Sequence, residues 1–384
     1  MENSAIIYYI VNGLLLSSVF FEILGASRKF KLEVMFFWCL FFTFFGGIRW
    51  QVGGDWDQYY AIFHYCDFSN IFSFERNTLG NLEWLFVLIN ATCRYLFTDY
   101  WIYNIIICGI VQFSYYYTLK NICYNHFLLV YCVLFAMGTD YFVLRSHLSM
   151  AVGAISLVYI KKHYEIVQLK SIISHSKGSY FFKYVFTWFL SFSIHKQMIA
   201  SLPLWWLGKI RLHWFFYFLF LISFFLIASI FQEYFMAIAL VIGGEIGDKA
   251  VNYTDVEIGE GHTRGILNFI LDIIFFAVFL YVRKKSGNNS VWYNLLLNML
   301  LIQCAALYIF TGSFGELSRL SFQFALARGL LIAEMISYFE TKSKFVRMVV
   351  WSCLLAYLCF RYIRLDSWYY FYLVNVPYTT IFDI

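Results

Sequence analysis

Residues Lys31–Ile48, KLEVMFFWCLFFTFFGGI, run straight into Arg49–Tyr60, RWQVGGDWDQYY. The first half is an apolar run long enough to read as a membrane span. The second half carries one cation, Arg49, two carboxylates, Asp55 and Asp57, and a Gly53-Gly54 pair among large aromatics. Ionisable groups beside hydrocarbon are costly and tend to mark a site. The glycine pair lets the backbone turn sharply and present Asp55. A solvated loop in which Arg49 pairs with Asp55 is the plain alternative.

Composition extends the membrane reading to the whole chain. Of 384 residues 61% are hydrophobic and 23% aromatic, only 13% are charged, and mean hydropathy is +0.67. Globular chains run about 45–50% apolar. No polar segment exceeds about 35 residues, short of the roughly 50 that an independent soluble domain requires. The run Ala5–Leu24 lacks a basic region before it and a small-residue cleavage site after it, so it reads as a retained span. The net charge of +5 is spread over short loops and implies no nucleic-acid partner. Nine scattered cysteines, such as Cys39, Cys108 and Cys132, have no metal-ligand spacing and read as buried thiols.

Lys- and Arg-rich loops set the sides, because such loops stay cytoplasmic. Arg28, Lys29 and Lys31 put the first loop inside, so residues 32–48 deliver the opening motif to the outer face. Residues 49–99 then form a first large outer loop. Within it, Asn81–Phe97 is apolar, but a span there would place Lys161–Lys183 outside. It reads instead as an amphipathic or re-entrant helix over the outer face. Further runs lie at 100–118, 127–141 and 147–160. Tyr180–Leu207 reads as a helical hairpin with His195 at its tip. Span 213–231 leads to a second outer loop, 232–265, followed by spans 266–282, 291–311, 318–338 and 348–363. The expected fold is all-α: one polytopic domain, 1–384, of about twelve spans with both termini outside. No internal repeat is visible, which weakens an inverted-repeat transporter.

This topology gathers Arg49, Asp55, Asp57, Glu83, Arg94, Arg145, His195, Arg264, Arg319 and Arg361 on the outer side. Singly, Arg145, Arg319 and Arg361 read as side chains snorkelling from span ends. Together they offer the planar, permanently charged donors that a diphosphate requires. Asp55, Glu83 and His195 are the candidate general bases, although His195 also reads as a core histidine with satisfied hydrogen bonds. Trp50, Trp56, Tyr59, Tyr60 and Trp84 suit sugar faces and equally an interfacial belt. No Walker loop, HExxH or GxSxG occurs. Asp55-Trp56-Asp57 matches a nucleotide-sugar DxD in letters only, since an outer-face site meets no nucleotide pool. Nothing calls for a metal or a cofactor.

IRWQVGGDWDQYYAIF resembles the R-x-x-x-G-x-D-x-x-x-Y signature of the EpsG/Wzy type of bacterial polysaccharide polymerase, through Arg49, Gly53, Asp55 and Tyr59. Later landmarks follow in order: Glu83, Arg145, His195 in SIHKQMIASLP, Arg319 in ELSRLSFQF, and a terminal VPYTTIF. Two departures stand out. Gly54 replaces a small hydroxylic residue, and Lys196 follows His195.

The resemblance implies a GT-C-like, multi-span glycosyltransferase in the bacterial inner membrane with its active site facing the periplasm. Such an enzyme moves a growing glycan from undecaprenyl diphosphate onto the non-reducing end of a lipid-linked repeat unit. The transfer inverts configuration and uses no metal or nucleotide. Asp55, Glu83 or His195 would take the acceptor proton. Arg49, Arg145, Arg319 and Arg361, with Tyr59, would bind substrate and diphosphate. Its partners would be lipid-linked oligosaccharide and a chain-length regulator of the Wzz type. An O-antigen ligase, or a flippase for the same lipid-linked sugar, are the alternatives. A flippase needs a polar path inward, yet the inner span halves hold only Asp272, Arg328 and Glu334 as charges.

Overall fold

A computed structural model of the chain describes residues 2–53, 55–74, 82–136, 144–168, 175–242, 266–287, 290–310, 319–363 and 378–382. In chain order its helices are α1 (Glu2–Ser17), α2 (Phe20–Ile23), α3 (Arg28–Gly47), α4 (Trp56–Tyr65), α5 (Trp84–Leu96), α6 (Tyr100–Ile122), α7 (Phe127–Ala136), α8 (Leu144–Gln168), α9 (His175–Ile194) and α10 (Leu204–Leu207). They continue as α11 (Trp214–Ile242), α12 (Ile266–Lys285), α13 (Val291–Phe310), α14 (Ala325–Glu340) and α15 (Lys344–Ile363). Short 3₁₀ turns occupy Phe68–Asn70, Lys196–Ser201 and Arg319–Phe324. The chain divides into one unit of residues 1–199 and 339–384 and a second of 200–338.

Seven described helical stretches are long and apolar enough to cross a membrane: Ile6–Ile23, Arg28–Gly47, Tyr100–Ile122, Ile266–Lys285, Val291–Ile309, Leu320–Glu340 and Lys344–Tyr362. Lipid accounts for their outward faces. Ile10, Leu14, Phe37 and Phe44 of α1 and α3 are each more than half exposed, a pattern that would be a liability in water. The amphipathic helix expected at Asn81–Phe97 is α5. At 13 residues it spans about 20 Å, too short for a hydrocarbon core of about 30 Å.

Two expectations are corrected. The hairpin read into Tyr180–Leu207 is one full helix, α9, followed by a 3₁₀ turn and the four-residue α10. Lys196 and Gln197 follow the helix end, and Pro203 stands just before α10, so no second arm forms. Residues 232–242, expected as the start of a loop, are helical, because α11 continues without a break through Gln232 to Ile242. Residues 243–265 lie outside those described. The run 127–141 appears as α7 over Phe127–Ala136, buried on every side in Phe127–Phe135, and its residues 137–141 lie outside those described.

Apolar burial drives helices together weakly in lipid, where tails are as apolar as leucine, so small residues and polar links carry more of the specificity. In the first unit α3 packs along α6, α6 along α8, and α8 along α9. At the α3–α6 crossing a Cβ on Gly47 would lie 2.4 Å from Ile105 Cγ1 and 2.7 Å from its Cα. Only glycine permits that approach. At the opposite end of α3, Lys31 Nζ lies 2.6 Å from Glu22 Oε2, and the Leu128 amide donates to Glu22 Oε1 at 3.1 Å. That carboxylate thereby caps α7. His126 reaches Glu340 at 3.1 Å at the same corner. In the second unit Arg328 Nη2 lies 2.6 Å from Asp272 Oδ1, and the Tyr308 hydroxyl donates to Asp272 Oδ2 at 2.6 Å. This buried pair ties α12, α13 and α14 together.

Candidate active site

Glu83 is the residue immediately before α5, with extended backbone at φ −67° and ψ 131°. There its carboxylate is free to reach sideways instead of capping its own helix. Arg145 sits in the first turn of α8, and His195 is the first residue after α9. The two helices are antiparallel neighbours, so the start of one meets the end of the other. Their approach depends on small side chains: Ser191 Oγ donates to the Ser149 carbonyl at 2.5 Å, and a Cβ on Gly153 would lie 2.9 Å from Ser191 Oγ.

The Glu83 carboxylate is the hub. One oxygen, Oε1, is 3.2 Å from His195 Nδ1 and accepts from the Lys196 backbone amide at 2.9 Å. The other, Oε2, accepts from Arg145 Nη1 at 3.2 Å. All three side chains are mostly buried, between 8% and 16% exposed. Burial by itself would raise the Glu83 pKa. The His195 hydrogen bond, the charges of Arg145 and His195, and the Lys196 amide overcome it and hold the carboxyl down at about 2. Glu83 therefore stays ionised at working pH and makes a poor general base. It orients His195 through Nδ1. Arg145 Nε is buried without a hydrogen-bond partner, and one of its Nη groups is committed to Glu83.

The opening motif forms a neighbouring group. Gly53 has φ +104°, the conformation expected for the turn, and Gln51 stands at φ +52°, unusual for a residue with a side chain. Gly54 lies outside the described residues. Asp55 is half-buried at the start of α4, caps nothing with its side chain, and makes no ion pair among the described residues. The Arg49–Asp55 pairing is thus absent. Arg49 is 1% exposed, near Tyr100 and Cys108 of α6. Tyr59 is buried, its ring 6.1 Å from Phe86 of α5. Trp56 stacks on Tyr60 at 5.0 Å, with Trp50 edge-on at 4.9 Å, forming an aromatic wall.

The chain's end closes over this motif. The Trp50 amide donates to the Thr379 carbonyl, and the Ile381 amide to the Ile48 carbonyl, each at 2.9 Å. Tyr378 stacks on Phe45 at 4.6 Å. VPYTTIF had appeared only as a landmark; its role as a strap on Ile48–Trp50 was invisible in sequence. Also unforeseen was Lys196, whose amide, unlike its side chain, serves Glu83.

Of the remaining sequence candidates, Arg361 lies half-buried in the last turn of α15 beside Tyr362, whose hydroxyl donates to the Cys132 carbonyl at 2.8 Å. Arg319 opens the 3₁₀ turn Arg319–Phe324, and its side chain is not among those described. No group of three or more His, Cys, Asp or Glu side chains able to hold a metal occurs among the described residues.

Seven described helices long and apolar enough to cross a membrane define a polytopic, all-helical membrane protein. The sequence model of the EpsG family matches residues 33–380, and the chain belongs to that family. EpsG is a Wzy-like polymerase family. The matched range includes both the opening motif and the strap residues Thr379 and Thr380. No curated protein and no solved structure matches the chain significantly.

Proposed function

We propose that this chain is a glycosyltransferase of the inner membrane that polymerises a surface polysaccharide on the periplasmic face. Its donor is a growing glycan on undecaprenyl diphosphate, and its acceptor is a lipid-linked repeat unit. The observation that carries the reading is the Glu83 hub, which holds an imidazole and a guanidinium 3.2 Å from the two oxygens of one carboxylate. Family membership supports the polymerase class.

In this mechanism the acceptor hydroxyl attacks the anomeric carbon of the donor. The new carbon–oxygen bond forms on the face opposite the diphosphate, and the old bond breaks with inversion. His195 takes the hydroxyl proton, while Glu83 fixes the ring and offsets the imidazolium charge. The departing lipid diphosphate keeps the bonding electrons. Arg145 is placed to stabilise that charge, as preorganised donors do most effectively where water is scarce. Arg319 and Arg361 are further candidates for the diphosphates. Arg49, buried under the strap, supports the motif from beneath, and Asp55 stands as a second polar group toward the acceptor. The transfer as written uses neither metal nor nucleotide. A Wzz-type regulator of chain length is compatible with it.

Gel profiling of surface polysaccharide from a strain lacking this gene tests the assignment. A ladder collapsing to core plus one repeat unit supports a polymerase. Loss of every polymer band with accumulation of lipid-linked glycan would point to a ligase or flippase instead.

A further inference from the structure

The second unit contains a cavity of about 720 Å³ between the first turns of α11 and the Arg283–Lys285 end of α12. Its size falls within the range of small-molecule sites. One side is cationic, formed by Arg211, Arg283 and Lys284, with His213 beside them and no carboxylate on the lining. The other side is apolar, formed by Phe218, Ala277 and Leu280 along the two helices. Trp214 and Tyr281, both about half exposed, stand at the rim.

The three cations differ in a way that suggests a built site. Arg283 is 8% exposed and donates to Asn294 Oδ1 at 3.3 Å and to the Leu212 carbonyl at 3.2 Å. Its guanidinium also lies 5.6 Å from the Tyr217 ring centroid, so its position is set by neutral partners. It makes no ion pair among the described residues. Arg211 and Lys284 are exposed and make no ion pair among the described residues. A second cavity, of about 450 Å³ around Arg28 and Lys29, differs on each count. It includes Glu33, and its Arg28 already donates to the carbonyls of Lys120 and Tyr124.

We propose that the Arg211–Arg283–Lys284 cavity binds an anionic phospholipid, with the phosphodiester against the three cations and the acyl chains along Phe218, Ala277 and Leu280. A free phosphate or a nucleotide would have no use for the apolar wall. A zwitterionic lipid would bring its own cation to the basic rim. Lys and Arg near a membrane surface attract anionic lipid, and Trp and Tyr settle at headgroup level. The basic end of α12 is on the cytoplasmic side by charge bias, which makes this an inner-leaflet site.

The test is native mass spectrometry of the full chain in detergent, titrated with phosphatidylglycerol or with phosphatidylcholine of the same acyl chains. The expected result is tighter retention of phosphatidylglycerol. That preference should fall roughly 30-fold in the Arg211→Gln/Lys284→Gln double variant, as loss of two surface cations implies. Each single variant should lose an intermediate amount. These exposed positions are chosen because Arg283→Gln would disturb buried bonds. Equal retention of the two lipids, an unchanged preference in the double variant, or displacement of phosphatidylglycerol by millimolar inorganic phosphate would each overturn the proposal.

Discussion

Arg145 Nη1 lies 3.2 Å from Glu83 Oε2, joining residues 62 positions apart at the mouths of α8 and α5. Because the other oxygen of the same carboxylate faces His195, the three groups act as one unit. A change at any of them alters the electrostatics of the other two.

Glu83→Gln keeps the shape and removes the charge. The imidazolium then loses its partner, so the acid limb of the activity profile should move to lower pH. Activity at the optimum should fall about 10²–10⁴-fold as His195 loses its orientation. Polymerisation of purified lipid-linked units across pH 5–9 measures both, and an unmoved limb would argue against the His195 role.

Arg145→Ala should abolish long chains while single lipid-linked units persist, a loss of about 10²–10³ in rate. Arg145→Lys should recover only part of it, because an ammonium cannot reproduce the guanidinium fork. Polymer of normal length from Arg145→Ala would remove this residue from the mechanism.

Glu83 has a second consequence, for stability. Its carboxyl is lowered from 4.5 to about 2, so its stabilising contribution is complete above about pH 4.5 and disappears as pH falls toward 2. Thermal unfolding in detergent should therefore show a loss of Tm between those limits that Glu83→Gln lacks.

Two glycines should separate folding from function. Gly47→Ala drives a methyl into the Ile105 backbone and should cost about 1–3 kcal/mol in stability. Gly153→Ala meets the flexible end of Met198 at 2.4 Å, within the 3₁₀ turn that follows His195. It should lower activity more than Tm. Thermal melts alongside polymer length distinguish the two.

Truncation before Tyr378 removes the bonds from Thr379 and Ile381 to Ile48–Trp50. Protein should still insert, since the seven apolar stretches are intact, but activity should drop at least tenfold as the Arg49 turn loosens. Expression level and polymer length together report this, and full activity without the strap would make it dispensable.

The periodicity and length of the apolar runs determined the helices, their membrane setting and the amphipathic status of α5. Hydrocarbon forces backbone bonds to close within a segment, so local composition is enough. The ordered landmarks also marked Glu83, Arg145 and His195 as candidates. Their division of labour was decided only by tertiary structure. That Glu83 is a hub joining His195 and Arg145 follows from side-chain distances across three helices, which chain spacing does not encode. The same holds for the strap from Thr379 to Trp50. In both cases the deciding energies come from partners distant in sequence, and only the packed helices bring them within hydrogen-bond reach.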